Sequence, residues 1–303
     1  MPLVASLRAA GHSVSALLTT RNADAFAHKT FEHVHVVERI PWPKHGYTRE
    51  TWSRALPEAC AQRYDVALIA SEEPAAYVFA RRAGIPDRRG FHNGLQKPLK
   101  SFWARRQLTT AIYRPAHPLH PRHEVDVMYD LGRSLYAEPR PSRDPQIFAE
   151  LLVEGPVLRN NVPAVQVTRK WLSRRRDPDL VRHWFAQLSA AQPFEGFCSA
   201  EEGTLGELIG KPAGLRMRYF DTVKEWKMAI AAAPYVITPD TGAAHLAGML
   251  AIDCTDIFES DQFELQAARW SPWCGRNVVR PFPADRDGTQ NFAQLLLEDW
   301  RTR

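Results

Sequence analysis

Apolar positions recur along this chain with two different periods, and the two alternate. Short runs rich in Val, Ile, Leu, Tyr and Phe at 13–18, 33–37, 65–70, 164–168, 235–238 and 254–258 read as buried strands. Between them, 49–62, 73–83, 178–190, 222–233 and 242–250 place apolar residues three and four apart, as helices with one packed face do. This alternation predicts parallel α/β layers, with an open sheet in each half. Residues 136–145 hold three prolines that favour extended backbone, so the linker is expected there. The expected organisation is an N-terminal domain over 1–145, a second domain over 146–288, and a helix over 289–303. Phe292, Leu295, Leu296, Leu297 and Trp300 share one broad face of that last helix, which should pack on the body. One feature breaks the pattern. A doubly wound domain opens with a buried strand, but residues 3–10 already carry helix spacing and Gly11-His12 ends it, so the first strand is missing.

Composition narrows the class. At 303 residues the chain suits about two domains. Its 45% apolar, 24% charged and 10% aromatic residues exclude disordered and collagen-like chains. No run approaches the roughly 18 apolar residues of a membrane span, so a soluble globular protein is expected. The net charge of +5 does not announce nucleic acid, and no nucleic-acid partner is expected. The excess is uneven: residues 81–122 carry ten Lys and Arg against Asp87 alone. Such a stretch suits an anionic ligand, a lipid surface or a solvated basic face. Cys60, Cys198, Cys254 and Cys274 lie far apart without a C-x-x-C pair, which suggests neither a zinc knuckle nor a disulfide framework and fits a reducing cytoplasm. The N-terminus has no basic leader followed by a long apolar core and does not read as a secretion signal.

The most informative run is Tyr235-Val-Ile-Thr-Pro-Asp240-Thr241-Gly242-Ala-Ala-His245-Leu-Ala, a buried strand that breaks at Pro239 and turns into an apolar helix. Asp240 can cap that helix, while Thr241 and Gly242 offer a hydroxyl and unobstructed amides to an anion at the positive end of the helix dipole. The same residues also suit a plain N-cap with His245 as a core histidine. About thirty residues on comes Ala268-Arg-Trp270-Ser-Pro272-Trp273-Cys-Gly.

Together these two segments resemble glycosyltransferase family 9, the ADP-heptose:lipopolysaccharide heptosyltransferases. Tyr64-Asp65-Val-Ala-Leu-Ile-Ala, then a helix and a turn over Gly84-Ile-Pro86-Asp-Arg-Arg89-Gly90-Phe91, is similar to that family's second N-domain signature. Arg122-His123-Glu124-Val-Asp126 is similar to its segment before the linker, and Val165 to Leu188, with Thr168-Arg169-Lys170-Trp171 and the triplet Arg174-Arg175-Arg176, to the opening of its C-domain. The resemblance implies a GT-B architecture, two doubly wound parallel-sheet domains facing across a cleft, and an inverting, metal-independent transfer of heptose from ADP-heptose to a lipopolysaccharide core. No cofactor is implied, since the nucleotide sugar is substrate.

By the same resemblance, Asp240, Thr241, Gly242 and His245 contact the donor diphosphate and sugar. Lys170 or Arg174 would hold phosphate, although the spacing departs from the family's Lys-x-Trp-Pro, and Glu201 or Glu202 would receive the ribose. Arg89, Lys97, Lys100 and His123 fall on the acceptor side, where an anionic glycolipid or glycan would approach. Peripheral contact with the cytoplasmic face of the inner membrane is implied as well. The chemistry is consistent with these roles: a leaving diphosphate needs fixed positive charge or dipoles, and an acceptor hydroxyl needs a carboxylate base.

Departures from the family are equally specific. Its members open with a strand and a Gly-Asp loop whose Asp is the expected base; here Met1-Pro2-Leu3 aligns with the helix after that loop, so the expected base is absent. The start codon then lies downstream of the true one, or the protein is shortened and binds nucleotide sugar without turnover, or Glu72 and Glu73, after the strand ending near Ala70, substitute. The family loop Phe-Gly-x-Thr-Asp-Pro is here Phe258-Glu-Ser-Asp261-Gln, which puts the donor sugar in question. Prolines 118 and 121 oppose a helix that would align His117, His120 and His123 on a metal. Phe102-Trp103 beside Arg105-Arg106 suits nucleic-acid stacking, insertion at a membrane surface or a mobile amphipathic helix, and by the resemblance it is the acceptor flank.

Overall fold

The computed structural model describes the whole chain except residues 21, 38–51, 53, 72 and 285 and the side chain of residue 286. The chain forms two compact units, Met1–Ala23 with His28–Ser142, and Asp24–Ala27 with Arg143–Arg303.

The first unit contains α1 (Pro2–Ala9), β1 (Ala16–Thr19), β2 (Val34–Val37), α2 (Ala55–Gln62), β3 (Val66–Leu68), α3 (Pro74–Arg82), β4 (Asp87–His92), α4 (Pro98–Gln107), β5 (Thr110–Tyr113) and α5 (Glu124–Tyr129). Prolines at the first turn open α1, α3 and α4, where a missing N–H costs nothing. All strand pairs are parallel, but they fall into two sheets, β1–β2 and β3–β4–β5. No ladder among the described residues joins them. The expected helix over 49–62 begins partly outside the described residues and is seen as α2.

The expected turn over 84–91 is corrected. The chain turns at Gly84, at φ +73°, and from Asp87 onward the segment is β4. Gly90 sits inside that strand because a Cβ there would meet Leu108 Cδ2 at 2.9 Å and Tyr77 Cε1 at 3.1 Å. Tyr77, Phe79, Ile69, Trp52 and Ala104 form the main core of this unit, with Leu7, Tyr129 and Tyr136 in a smaller cluster.

The second unit contains α6 (Pro145–Leu152), β6 (Ala164–Gln166), α7 (Pro178–Ala191), β7 (Glu195–Ser199), the short α8 (Gly203–Leu205), β8 (Arg216–Phe220), α9 (Val223–Ala232), β9 (Tyr235–Pro239), α10 (Gly242–Met249), β10 (Asp253–Phe258), α11 (Phe263–Trp270), β11 (Asn277–Pro281) and α12 (Arg286–Arg301). Asp-Pro pairs start α6 and α7, with Asp144 and Asp177 accepting from the amides of Gln146 and Asp179. Thr222 caps α9, accepting from Glu225 N–H while its hydroxyl donates to the Glu225 carboxylate. The six strands are parallel in the order β11-β10-β9-β6-β7-β8. Trp171, Trp184, Phe185, Leu188, Tyr235 and Ile237 are buried in one core, and α12 closes it with Phe292, Leu296 and Leu297. The ring of Phe292 stacks edge-on to Trp184, 4.9 Å between centroids.

Candidate functional site

The strand order of the second unit has a switch point at β6 and β9. From β6 the chain moves outward through β7 and β8, then returns to β9 on the other side of β6 and continues through β10 and β11. Loops leaving β6 and β9 therefore diverge, which is where open α/β sheets commonly hold ligands. The turn of Asp240, Thr241 and Gly242 stands on the β9 side of this switch point, and the 3-10 turn Arg169–Arg175 on the β6 side.

The turn itself is tightly determined. Pro239 ends β9, and Asp240 N–H donates to the carbonyl of Ile257 at 2.9 Å, fixing the exit from the sheet. The expected cap is corrected: Thr241, not Asp240, is the N-cap of α10, accepting from Ala243 N–H at 3.2 Å while its Oγ1 lies 2.8 Å from that of buried Thr238. Gly242 is exposed and in ordinary backbone geometry; a Cβ there would touch only the Trp226 ring, at 3.6 Å. In the first turn of α10 Ala243 and Ala244 are buried and Gly242 is exposed, at the end of the helix whose dipole favours anions.

With the cap supplied by Thr241, the Asp240 carboxylate turns to Lys170, whose Nζ donates to Asp240 Oδ2 at 3.1 Å and also to the Asp240 carbonyl. Thr168 makes this possible by capping the 3-10 turn, accepting from Lys170 N–H at 3.1 Å. His245 is not a core residue: its side chain is 41% exposed, with Nε2 3.8 Å from Asp240 Oδ1 and the ring beside Trp270. Lys170, Asp240 and His245 are therefore in one cluster beside Thr241 and Gly242, the sheet bringing Lys170 to a turn 70 positions further along the chain.

The other donor-side candidates lie on the rim. Arg174, in the left-handed region at φ +57°, pairs with Asp261 of the loop after β10. Arg176 holds Glu259 at 2.6 Å and lies over the Phe282 ring, 3.5 Å from its centroid, and Ser173 also donates to Glu259. Burial works to raise the Glu259 pKa, but the hydrogen bonds from Arg176 and Ser173 prevail and hold it below the usual carboxylate range. Glu259 and Asp261 of the loop after β10 thus pair with Arg176 and Arg174. Glu202 accepts an ion pair from Arg169 at 3.3 Å, and Glu201 is exposed with its N–H on Ser199 Oγ.

One group was missed in the sequence. Asp256 on β10, opposite Thr238, is fully buried, and neither carboxylate oxygen has a hydrogen-bond partner among the described residues. Burial first, then the charge of Asp240, pushes its pKa well above the usual carboxylate range. A carboxylate inside Cys254-Thr-Asp-Ile-Phe258 was the signal available. Because the folded pKa is raised, its ionisation adds no cost below about pH 4 and destabilises increasingly as pH rises from there toward the folded value. Asp256→Asn is accordingly expected to match wild type in thermal unfolding at pH 4 and to melt higher at pH 8; an equal or lower midpoint at pH 8 would contradict the raised Asp256 pKa.

In the first unit the candidates separate. Glu72 lies outside the described residues. Glu73 is exposed at the N-cap of α3, its N–H bonded to Ser71 Oγ. Arg89 is half-buried on β4, holding Asp87 and Ser134 at 2.8 Å. His123 caps α5 by accepting from Val125 N–H at 3.1 Å. Lys97 is exposed and Lys100 half-exposed at the start of α4.

No family model matches the sequence, and no curated protein matches it. The fold does match solved structures. A glycosyl transferase family 9 protein from Veillonella parvula DSM 2008 superposes with a TM-score of 0.64 at 12% identity, over 92% of this chain and 82% of that one. E. coli ADP-heptose lps heptosyltransferase II gives 0.67 at 13%, over 99% and 93%. E. coli heptosyltransferase WaaC with ADP-2-deoxy-2-fluoro heptose gives 0.70 at 16%, over 98% and 94%. The chain has the GT-B fold of these glycosyltransferases.

Proposed function

We propose that the chain is an inverting glycosyltransferase that binds a nucleotide-diphosphate sugar at the β6–β9 switch point and transfers the sugar to an anionic glycan. The observation that carries this reading is the Lys170–Asp240 contact beside the exposed N-terminus of α10. A leaving diphosphate accumulates negative charge, and an ammonium and a helix dipole aimed at one crevice stabilise it without a metal. Lys170 meets phosphate by exchanging Asp240 for a ligand oxygen, and the freed Asp240 and His245 are then placed to bind sugar hydroxyls. ADP-heptose is the donor and a lipopolysaccharide core the acceptor of this proposal, on the cytoplasmic side; the heptosyltransferase whose fold is shared was solved with ADP and with an ADP-heptose analogue. Glu73, with Glu72, is the proposed source of the base, and Arg89, Lys97, Lys100 and His123 are proposed to meet the acceptor. Arg174, Glu201 and Glu202 form the proposed outer rim of the donor site.

A second reading keeps the donor site and drops the chemistry. It is favoured by the division of the first unit's sheet, which leaves no strand between β1 and β3 among the described residues to bring a carboxylate to that edge. Incubation with ADP-heptose and a heptose-deficient core acceptor separates the two. Sugar transfer supports the enzyme, donor binding without transfer supports the binding protein, and no donor binding contradicts both.

A further inference from the structure

The loop that carries Lys170 is bent in a way its own residues resist. Arg174 and Arg175 follow one another in the left-handed region, at φ +57° and +59°, where Cβ crowds the following carbonyl oxygen and glycine is the usual occupant. Two strained residues in a row persist only where neighbouring groups hold them. The bend brings Arg176 back to the start of the turn, where its Nε donates to the Trp171 carbonyl and its Nη2 to the Lys170 carbonyl, each at 3.0 Å. Ser173 Oγ lies 2.7 Å from the same Lys170 carbonyl.

One carboxylate closes this arrangement. Glu259 accepts from Arg176 at both oxygens, Nη1 to Oε2 at 3.0 Å and Nη2 to Oε1 at 2.6 Å, and Ser173 reaches the same carboxylate. The Arg176 side chain is only 13% exposed and its guanidinium lies on the Phe282 ring, so its charge depends on that partner. Arg174, paired with Asp261, pins the outer side of the bend. The hold of Glu259 on Lys170 therefore runs through Arg176 and Ser173, from a loop on the far side of β9.

From these contacts we infer that Glu259 is a positioning residue of the donor site: through Arg176 and Ser173 it fixes the main chain of Lys170 where the ammonium meets Asp240 and, on the reading proposed above, the diphosphate. The inference rests on that reading for its ligand, and on the contacts alone for the placing of Lys170. A bare charge effect would have the opposite sign. Glu259 is an anion one strand away from the Asp240 turn, so deleting its charge should tighten a bound diphosphate by simple Coulomb repulsion removed. Loss of positioning loosens it.

Calorimetric titration of ADP and of adenosine into Glu259→Gln, Lys170→Met and the double variant, with a crystal structure of unliganded Glu259→Gln, tests it. Glu259→Gln keeps the shape and sets an amide N–H against the guanidinium; it should weaken ADP binding about tenfold and leave adenosine unchanged. In the Lys170→Met background the same change should cost ADP less than about twofold, since the group it positions is gone. Arg176→Lys keeps the charge and loses the two-pronged grip, and should weaken ADP to the same degree as Glu259→Gln. The crystal should show Lys170 Nζ out of hydrogen-bond distance of Asp240. Unchanged or tighter ADP binding in Glu259→Gln, an equal loss of adenosine, a tenfold loss that persists without Lys170, or an intact Lys170–Asp240 contact in the crystal would overturn the inference. If wild type binds no ADP while the crystal shows Lys170 displaced, the positioning stands and the donor reading fails.

Discussion

Lys170→Met should weaken ADP binding by roughly 30- to 100-fold in a calorimetric titration, the value of a charge-assisted hydrogen bond to phosphate together with an Asp240 carboxylate left unneutralised beside it. The same substitution should leave adenosine binding unchanged, because the ammonium is proposed to act on phosphate alone. Its effect on unfolding should stay below about 1 kcal/mol, since the Lys170–Asp240 pair is 51% and 26% exposed and solvent screens it. Equal losses for ADP and adenosine would mean that Lys170 holds the shape of the loop and not the ligand's charge.

The neighbouring residue should behave in the opposite sense. Trp171 is fully buried, stacked edge-on to Phe185 at 4.8 Å and to Phe282 at 5.7 Å, with its Nε1 donating to the Gln166 carbonyl at 2.8 Å. Trp171→Ala removes one of the largest side chains of the second unit's core and should cost about 3–5 kcal/mol in urea unfolding. Trp171→Phe keeps a ring and loses the hydrogen bond, and should cost about 1 kcal/mol more than any loss from repacking. The pair of adjacent positions thus divides stability from binding. A Trp171→Ala protein as stable as wild type would contradict the packing of the 3-10 turn on the core, and with it the anchoring of Lys170.

What could be read from the chain and what could not follows from where each signal lies. β9 was legible because all five residues from Tyr235 to Pro239 are buried, so its apolar run is unbroken. β4 was not, because Arg88 and Arg89 interrupt the pattern. The structure satisfies them locally, Arg88 on the carbonyls of Gln107 and Ile85 and Arg89 on Asp87 and Ser134. β5 and β8 went unread as well. Both are edge strands with mostly exposed residues, and neither shows a clean alternation.

The cluster around Lys170 and Asp240 divides in the same way. Thr241 and Gly242 could be placed at a helix start from their own neighbours, but which of Asp240 and Thr241 caps the helix depends on Lys170, 70 residues away. The pairing of Arg174 with Asp261 and of Arg176 with Glu259 likewise depends on two loops meeting across the sheet. Periodicity carries no information of that kind. In α4 the pattern itself misleads: Leu99, Phe102 and Trp103 have helical spacing, and the ordinary expectation would bury them. The structure turns Leu99 and Phe102 outward.

A crystal soaked with ADP tests the central claim most directly. The diphosphate is predicted within hydrogen-bond distance of the amide end of α10 at Thr241 and Gly242 and of Lys170 Nζ, with Lys170 swung from Asp240 to phosphate. Density for ADP elsewhere on the second unit, with the Lys170–Asp240 pair intact, would contradict it.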